Sequence, residues 1–167
     1  HNVKKSISDL RKLGVKDIIM LTGDTKEKAQ AIANELGIDE VKAELLPQDK
    51  AKIVKELMDE GKKVAFVGDG INDAPALISA HVGISMSRGA DIAKATADIS
   101  LLKDDITAVV EAKEYANKTM NLINTKDKPS SLKRKFRVWR TLIPRDNTNS
   151  RDRIRGTWAY VKLAMNN

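Results

Sequence analysis

Two short apolar runs, each broken off by a glycine-bearing acidic turn, constrain this chain more than anything else in it. Asp17-Ile-Ile-Met-Leu21 runs into Thr22-Gly23-Asp24, and Val64-Ala-Phe-Val67 runs into Gly68-Asp69-Gly70-Ile71-Asn72-Asp73. Four or five apolar residues bounded by glycine read as a buried strand. Both turns then open helices. Thr25 stands where it would cap a helix with Ala29, Ile32, Ala33 and Leu36 on one face. Asp73 stands at the N-cap of a second helix, with Pro75 in its first turn.

The rest of the chain keeps the same alternation. Residues 4–13 have a helical pattern stopped by Gly14, Val41-Lys-Ala43 is a strand candidate, and Gln48 to Glu60 forms an amphipathic helix stopped by Gly61. After the second acidic turn come a short helix, a strand near Val82–Ile84, a helix near Asp91–Ala95, a strand near Ile99–Leu102 and a long helix from about Asp104. Strands alternating with helices of this length predict an α/β fold with a mostly parallel sheet and flanking helices. In such sheets ligands bind at the C-terminal ends of the strands, which is where both acidic turns fall.

Composition excludes several classes. With 167 residues the chain is about one domain long. It has no cysteine, so neither a disulfide framework nor a thiolate metal site is available. No apolar run approaches the roughly 20 residues that span a bilayer. A start at His1 is expected to reflect a processed or excised N-terminus. The net charge of +7 is unevenly placed: residues 1–125 carry 18 basic and 20 acidic side chains, residues 126–167 carry 12 and 3. Seven of the arginines and four of the aromatics (Phe136, Trp139, Trp158, Tyr160) also fall after Thr125. The expected organisation is therefore an α/β unit over 1–125 and a basic tail over 126–167, disordered or foreign to the rest.

The second acidic turn concentrates chemistry. Asp69, Asn72 and Asp73 supply oxygen donors within five residues, just beyond a strand. Mg²⁺ takes one or two carboxylates and leaves its other positions to water and phosphate, so this loop suits magnesium-dependent phosphate chemistry. For Asp73 a helix cap and a site role stand side by side. Lys50, with Lys52 and Lys55 nearby, is by itself equally readable as part of a solvated face. His81, Met20 and Met86 read as packing or surface residues, Lys103-Asp-Asp105 as a helix start, and Arg88-Gly-Ala-Asp91 as a loop.

Taken together, three ordered elements resemble the phosphorylation domain of P-type ATPases, a branch of the haloacid-dehalogenase-like phosphotransferases. These are Met20-Leu-Thr-Gly-Asp24, Leu46-Pro-Gln-Asp-Lys50 and Gly68-Asp-Gly-Ile-Asn-Asp73; Ala74-Pro-Ala-Leu77 and Ala97-Asp-Ile-Ser-Leu-Leu102 add the flavour of the heavy-metal subgroup. The resemblance covers roughly residues 4–124. It implies a Rossmann-like sheet, with Thr22 and Gly23 donating to a transferring phosphoryl group and Asp24 organising their loop. It further implies Lys50 as a charge on the phosphate oxygens, Asp69 as the Mg²⁺ ligand, and Asn72 and Asp73 completing the loop. Mg²⁺ and the phosphoryl group of ATP are the implied cofactors. The implied partners are the remaining parts of such an ATPase: nucleophile strand, nucleotide-binding domain, actuator and membrane helices. Such a segment lies at the cytoplasmic face, does not itself bind the transported cation, and is not expected to bind nucleic acid.

The sequence also departs from the family. The Asp-Lys-Thr-Gly-Thr nucleophile motif is absent, so the chain alone is expected to lack ATPase turnover. In the family the nucleophile strand lies between the strands ending at Thr-Gly-Asp and Gly-Asp-Gly. Its loss leaves two parallel edges, to be closed by rearrangement, by another chain, or by a strand from a separate polypeptide. Stability mainly with an N-terminal partner is the corresponding expectation. The tail, with Lys133-Arg-Lys-Phe-Arg-Val-Trp-Arg140 and Asn147-Thr-Asn-Ser-Arg-Asp-Arg-Ile-Arg155, reads first as a foreign or out-of-frame extension. The alternative function is a non-catalytic binding or regulatory module whose tail contacts anionic lipid or nucleic acid.

Overall fold

A computed structural model describes residues 3–69, 71–86, 91–103, 105–124 and 160–163. The expectations for Gly70, the Arg88 turn, Asp104, Thr125 and both basic clusters of the tail lie outside them. The elements are α1 (Val3–Lys12), β1 (Asp17–Leu21), α2 (Lys26–Leu36), β2 (Glu40–Lys42), α3 (Pro47–Asp59) and β3 (Val64–Gly68). A 3₁₀ turn (Ile71–Asp73) leads into α4 (Ala74–Ser79), followed by β4 (Val82–Ser85), α5 (Asp91–Thr96), β5 (Ile99–Ser100) and α6 (Thr107–Asn124). A last strand, β6 (Tyr160–Leu163), comes from the tail.

The sheet has six strands in the order β2-β1-β6-β3-β4-β5, and every pairing is parallel. Parallel strands need covering on both faces, and alternate residues supply the two apolar rows. Ile18, Ala65, Val67 and Ile84 pack with Ile7 and Leu10 of α1 and with Val109 of α6. Ile19, Leu21, Val64 and Phe66 pack with Ile53, Val54 and Leu57 of α3 and with Ala76 and Leu77 of α4. Met20 meets Ala29 and Ala33 of α2. The apolar runs are strands because each is buried along its whole length, Ile18–Leu21 and Val64–Gly68 alike.

The position between β1 and β3 is filled. Tyr160, Val161, Lys162 and Leu163 align with Asp17, Ile18, Ile19 and Met20 on one side, and with Val64, Ala65, Phe66 and Val67 on the other. Of the three ways of closing the gap, the described strands show the sheet closed by the chain's own tail.

Local chemistry sets the helix ends, with two departures from expectation. Gly37 closes α2 in the left-handed region at φ 71°, its N–H bonded to Ala33 O, as its lack of a Cβ allows. Thr25 holds the N-cap position, yet its side chain makes no capping hydrogen bond; α2 starts instead on the backbone, with Ala29 N–H donating to Thr25 O at 3.0 Å. Asp73 likewise precedes α4 without capping it, because its carboxylate is engaged elsewhere. At α6 the helix-start reading holds: Thr107 N–H donates to Asp105 Oδ1 at 3.0 Å. His81 Nδ1 accepts the Val64 N–H at 3.1 Å, which ties the start of β3 to the start of β4.

Asp39 joins α1, α2 and β1. It accepts the Ile18 N–H at 2.8 Å and pairs with Arg11 at 2.9 Å, while Arg11 also donates to Gly37 O at 2.8 Å. Burial works to raise the Asp39 pKa; the Arg11 hydrogen bond, the Ile18 N–H and the guanidinium charge together outweigh it and hold the carboxyl below its ordinary value. A carboxyl lowered by folding stabilises the chain above its unfolded pKa, and this contribution is lost as pH falls through the folded value. Urea titrations should therefore show Asp39→Asn less stable at pH 7, by up to about 1 kcal/mol for a surface pair. The difference should shrink to nothing below the carboxylate range; identical curves at pH 7 would remove this role.

Candidate active site at the C-terminal strand ends

Both acidic turns emerge on one edge of the sheet, because β1 and β3 run parallel on either side of β6. The β1 turn is held by its own backbone and by the β2–α3 connection. Thr22 is buried; its hydroxyl donates to Asp24 Oδ2 at 3.1 Å and accepts the Asp24 N–H at 3.1 Å. Thr22 N–H donates to Lys42 O at 3.0 Å, Leu45 N–H to Thr22 O at 3.1 Å, and Glu44 N–H to Asp24 O at 2.9 Å. Glu44 accommodates this crossing at φ 57°, a conformation that non-glycine residues seldom adopt. Gly23 lies close beneath it: a Cβ there would stand 3.3 Å from Leu45 O.

Across β6, the β3 turn is organised by a buried ion pair. Pro47 begins α3, so the Pro-x-x-Lys spacing carries Lys50 one turn inward, and Lys50 is only 3% exposed. Its Nζ donates to Asp73 Oδ1 at 2.8 Å, and Asp73 is fully buried. The other carboxylate oxygen, Oδ2, accepts the Asp69 N–H at 3.2 Å and so closes the loop on itself. Gly68 makes this approach possible, since a Cβ there would meet Asp73 Cβ at 2.7 Å and Oδ2 at 2.9 Å. Lys52 and Lys55 are exposed, so the solvated-face alternative describes them and fails for Lys50.

Of the residues singled out from sequence, Lys50, Asp69 and Asp73 come together directly. Thr22, Gly23 and Asp24 lie across β6 on the same edge, and Asn72 is exposed on the 3₁₀ turn. The direct Lys50–Asp73 bond was not part of the sequence reading; its two ends are 23 residues apart. The spacing of Pro47 to Lys50 was the available signal.

The donor set suits a hard cation. Asp69, half-buried at the end of β3, offers carboxylate oxygen, and there is no softer ligand in its turn. Among the described residues no three His, Cys, Asp or Glu side chains gather as a metal cage. That arrangement is compatible with Mg²⁺, which relies on few carboxylates with water and phosphate.

Comparison with known proteins places this geometry. Residues 1–81 match the haloacid dehalogenase-like hydrolase family. The chain is 46% identical over 118 residues to a manganese-exporting P-type ATPase of Mycobacterium leprae, covering 70% of this chain and 16% of that protein. It is 45% identical over 120 residues to a copper-exporting P-type ATPase of Bacillus subtilis, covering 72% and 15%. Among solved structures, a zinc-transporting PIB-type ATPase in the E2.Pi state matches at 46% identity and a TM-score of 0.66, over 72% of this chain and 19% of that one. The catalytic domain of the CPx-ATPase CopB-B matches at 40% identity and a TM-score of 0.63, over 68% and 44%. The chain thus spans about a sixth of the curated relatives it matches. No described helix is long and apolar enough to cross a membrane. By motif order, fold and identity, the chain belongs to the haloacid-dehalogenase-like hydrolases as a part of the heavy-metal P-type ATPase phosphorylation domain.

Proposed function

We propose that the chain supplies the phosphoryl- and Mg²⁺-binding half of an aspartyl-phosphate site, the nucleophile coming from another segment of the ATPase. The observation that carries this reading is the buried Lys50–Asp73 pair, 2.8 Å long, set beside Asp69 at the ends of the strands. A buried ion pair is weak evidence for stability as such. Placed at a ligand-binding strand edge, it provides a cation whose position is already fixed when phosphate charge arrives.

In this reading Gly23 N–H donates to a phosphoryl oxygen, and the Thr22 hydroxyl turns its one hydrogen from Asp24 Oδ2 to the phosphoryl group while its oxygen goes on accepting the Asp24 N–H. Lys50 offsets charge that develops on the transferring group, while Asp73 holds the ammonium in place and Asn72 completes the rim. Asp69 would hold Mg²⁺, which when bound shields the phosphoryl oxygens and orients them. The nucleotide-binding domain, actuator, nucleophile strand and membrane helices are the partners of the complete transporter, at its cytoplasmic face. Relatives named for manganese and copper export resemble the chain about equally. That is the pattern expected if the ion is selected elsewhere, in the membrane part.

The test supplies the missing pieces. The chain is mixed with an Asp-Lys-Thr-Gly-Thr peptide and beryllium fluoride, and amide exchange is followed with and without Mg²⁺. Residues 22–24 and 69–73 should gain protection only with Mg²⁺, and Asp69→Ala should abolish the gain. Mg²⁺-independent exchange in the wild type would sink the reading. So would phosphate release from ATP by the chain alone above the Asp69→Ala control.

A further inference from the structure

Between β2 and α3 the chain changes sides of the sheet at a single residue. We infer that Glu44 is a positioning residue for the phosphoryl site: its left-handed backbone couples the Thr22-Gly23-Asp24 turn to the helix that brings Lys50 to Asp73. The coupling stands on geometry alone; its value to phosphate binding rests on the function proposed above.

Side chains two apart in an extended chain point to the same face of a sheet. Val41 and Ala43 obey this and pack with Met20, Ala29 and Ala33, on the face that α2 covers. Leu45 does not. It packs in the cluster of Ile19, Leu21, Ile53 and Val54, on the face that α3 covers. Met20 lies between Ile19 and Leu21 in β1, so the same alternation puts the two clusters on opposite faces. The residue between Ala43 and Leu45 is Glu44, at φ 57°, the one non-glycine with positive φ among the described residues. That backbone turn sends the chain across.

The crossing is fixed at both ends. Before it, Thr22 N–H donates to Lys42 O at 3.0 Å. At the crossing, Glu44 N–H donates to Asp24 O at 2.9 Å and Leu45 N–H to Thr22 O at 3.1 Å. Consecutive N–H groups of an extended chain point in opposite directions. Here both meet carbonyls of one three-residue turn, which the left-handed residue permits. Beyond it, Leu46 N–H donates to Asp49 Oδ2 at 2.9 Å and Pro47 starts α3. Lys50 follows one turn later, 2.8 Å from Asp73 Oδ1, and Asp73 Oδ2 holds the Asp69 N–H. From Glu44 to Asp69 the contacts are contiguous, as physical coupling between two loops requires.

Glutamate is a costly choice for such a backbone. Asparagine adopts it more readily, and a β-branched residue there is an outlier. Glu44 is exposed, so replacing its side chain removes no core contact and acts through the backbone turn.

The experiment is amide exchange on the full chain and on Glu44→Asn and Glu44→Val, read at Leu45 and Asp69 against Val54 within α3. Glu44→Val should speed exchange at Leu45 and Asp69 by about tenfold beyond any change at Val54. Glu44→Asn should slow both. Movement at Leu45 with Asp69 unmoved overturns the proposal, and so does exchange at both that ignores the substitutions. Asparagine fits the backbone, so its arm decides the matter even if Glu44→Val fails to fold. A merely structural turn would leave ligand affinity alone. Inorganic phosphate with Mg²⁺, followed at the Gly23 amide resonance, should bind Glu44→Val about tenfold more weakly than wild type. It should bind Glu44→Asn at least as tightly. Equal affinity in the two variants overturns the positioning role. A wild-type chain that binds no phosphate would instead count against the function proposed above, and would leave standing the coupling that exchange reads without any ligand.

Discussion

Lys50→Met will cost the folded chain about 3–5 kcal/mol, because it strands a fully buried carboxylate that has lost its cation. That is a large fraction of the 5–15 kcal/mol typical of a domain. Methionine keeps the length and most of the stem of lysine, so the loss reports the charge rather than a cavity. Asp73→Leu should be costly for the converse reason, leaving Lys50 buried without its anion. The informative variant is the double one, Lys50→Met with Asp73→Leu, in which both charges leave together. It should recover much of the single-variant loss, since apolar replacements of a buried pair are often neutral. Urea unfolding of the four chains gives the coupling energy directly. A Lys50→Met chain as stable as wild type would mean that the 2.8 Å pair does not exist in solution. Exchange at Asp69 should rise in parallel, because its N–H is held by Asp73 Oδ2.

This pair also shows where sequence reading stops. Strands and helices were legible because their signals are local: Ile18–Leu21 and Val64–Val67 are apolar without interruption, and Gly14, Gly37 and Gly61 all take positive φ at helix ends. Motif order then gave the edge of the sheet on which the site lies. What Asp73 does was not local. A carboxylate before a helix reads as a cap, yet its oxygens are taken by a lysine 23 residues away and by the Asp69 N–H. Lys50 had the opposite fate, resembling its exposed neighbours until α3 packed and turned it inward. The tail strand was least legible of all. Tyr160–Leu163 is four residues with a charge in the middle, and nothing in its composition outweighs the basic setting from which it comes. Its place is specified by the gap between β1 and β3 and not by its own propensity, as is common for β-structure.

The same tertiary control predicts that Phe66→Ala will unfold the site along with the core. Phe66 is fully buried at the centre of β3, in a cluster with Ile53, Val54 and Leu57 of α3 and Ala76 and Leu77 of α4. Truncating such a ring costs about 3–5 kcal/mol, the sum of lost transfer energy and the cavity left behind. For a chain of this size each kcal/mol lowers Tm by about 2–4 °C, so a fall of about 10 °C is expected. The two helices resting on Phe66 are also those that bring the ion pair together. Lys50 rides on the first turn of α3, and Asp73 immediately precedes α4. A cavity beneath both relaxes their spacing, and a 2.8 Å bond between fully buried groups tolerates little relaxation. Phe66→Ala and Lys50→Met should therefore be non-additive: the double variant should lose less than the sum of the two, because the first has already loosened the pair that the second removes. Phe66→Leu, which keeps most of the volume, should cost far less and leave the coupling intact. Strict additivity between Phe66→Ala and Lys50→Met would show that the core under β3 and the ion pair at its end are independent, and that the site is positioned by its own loop alone.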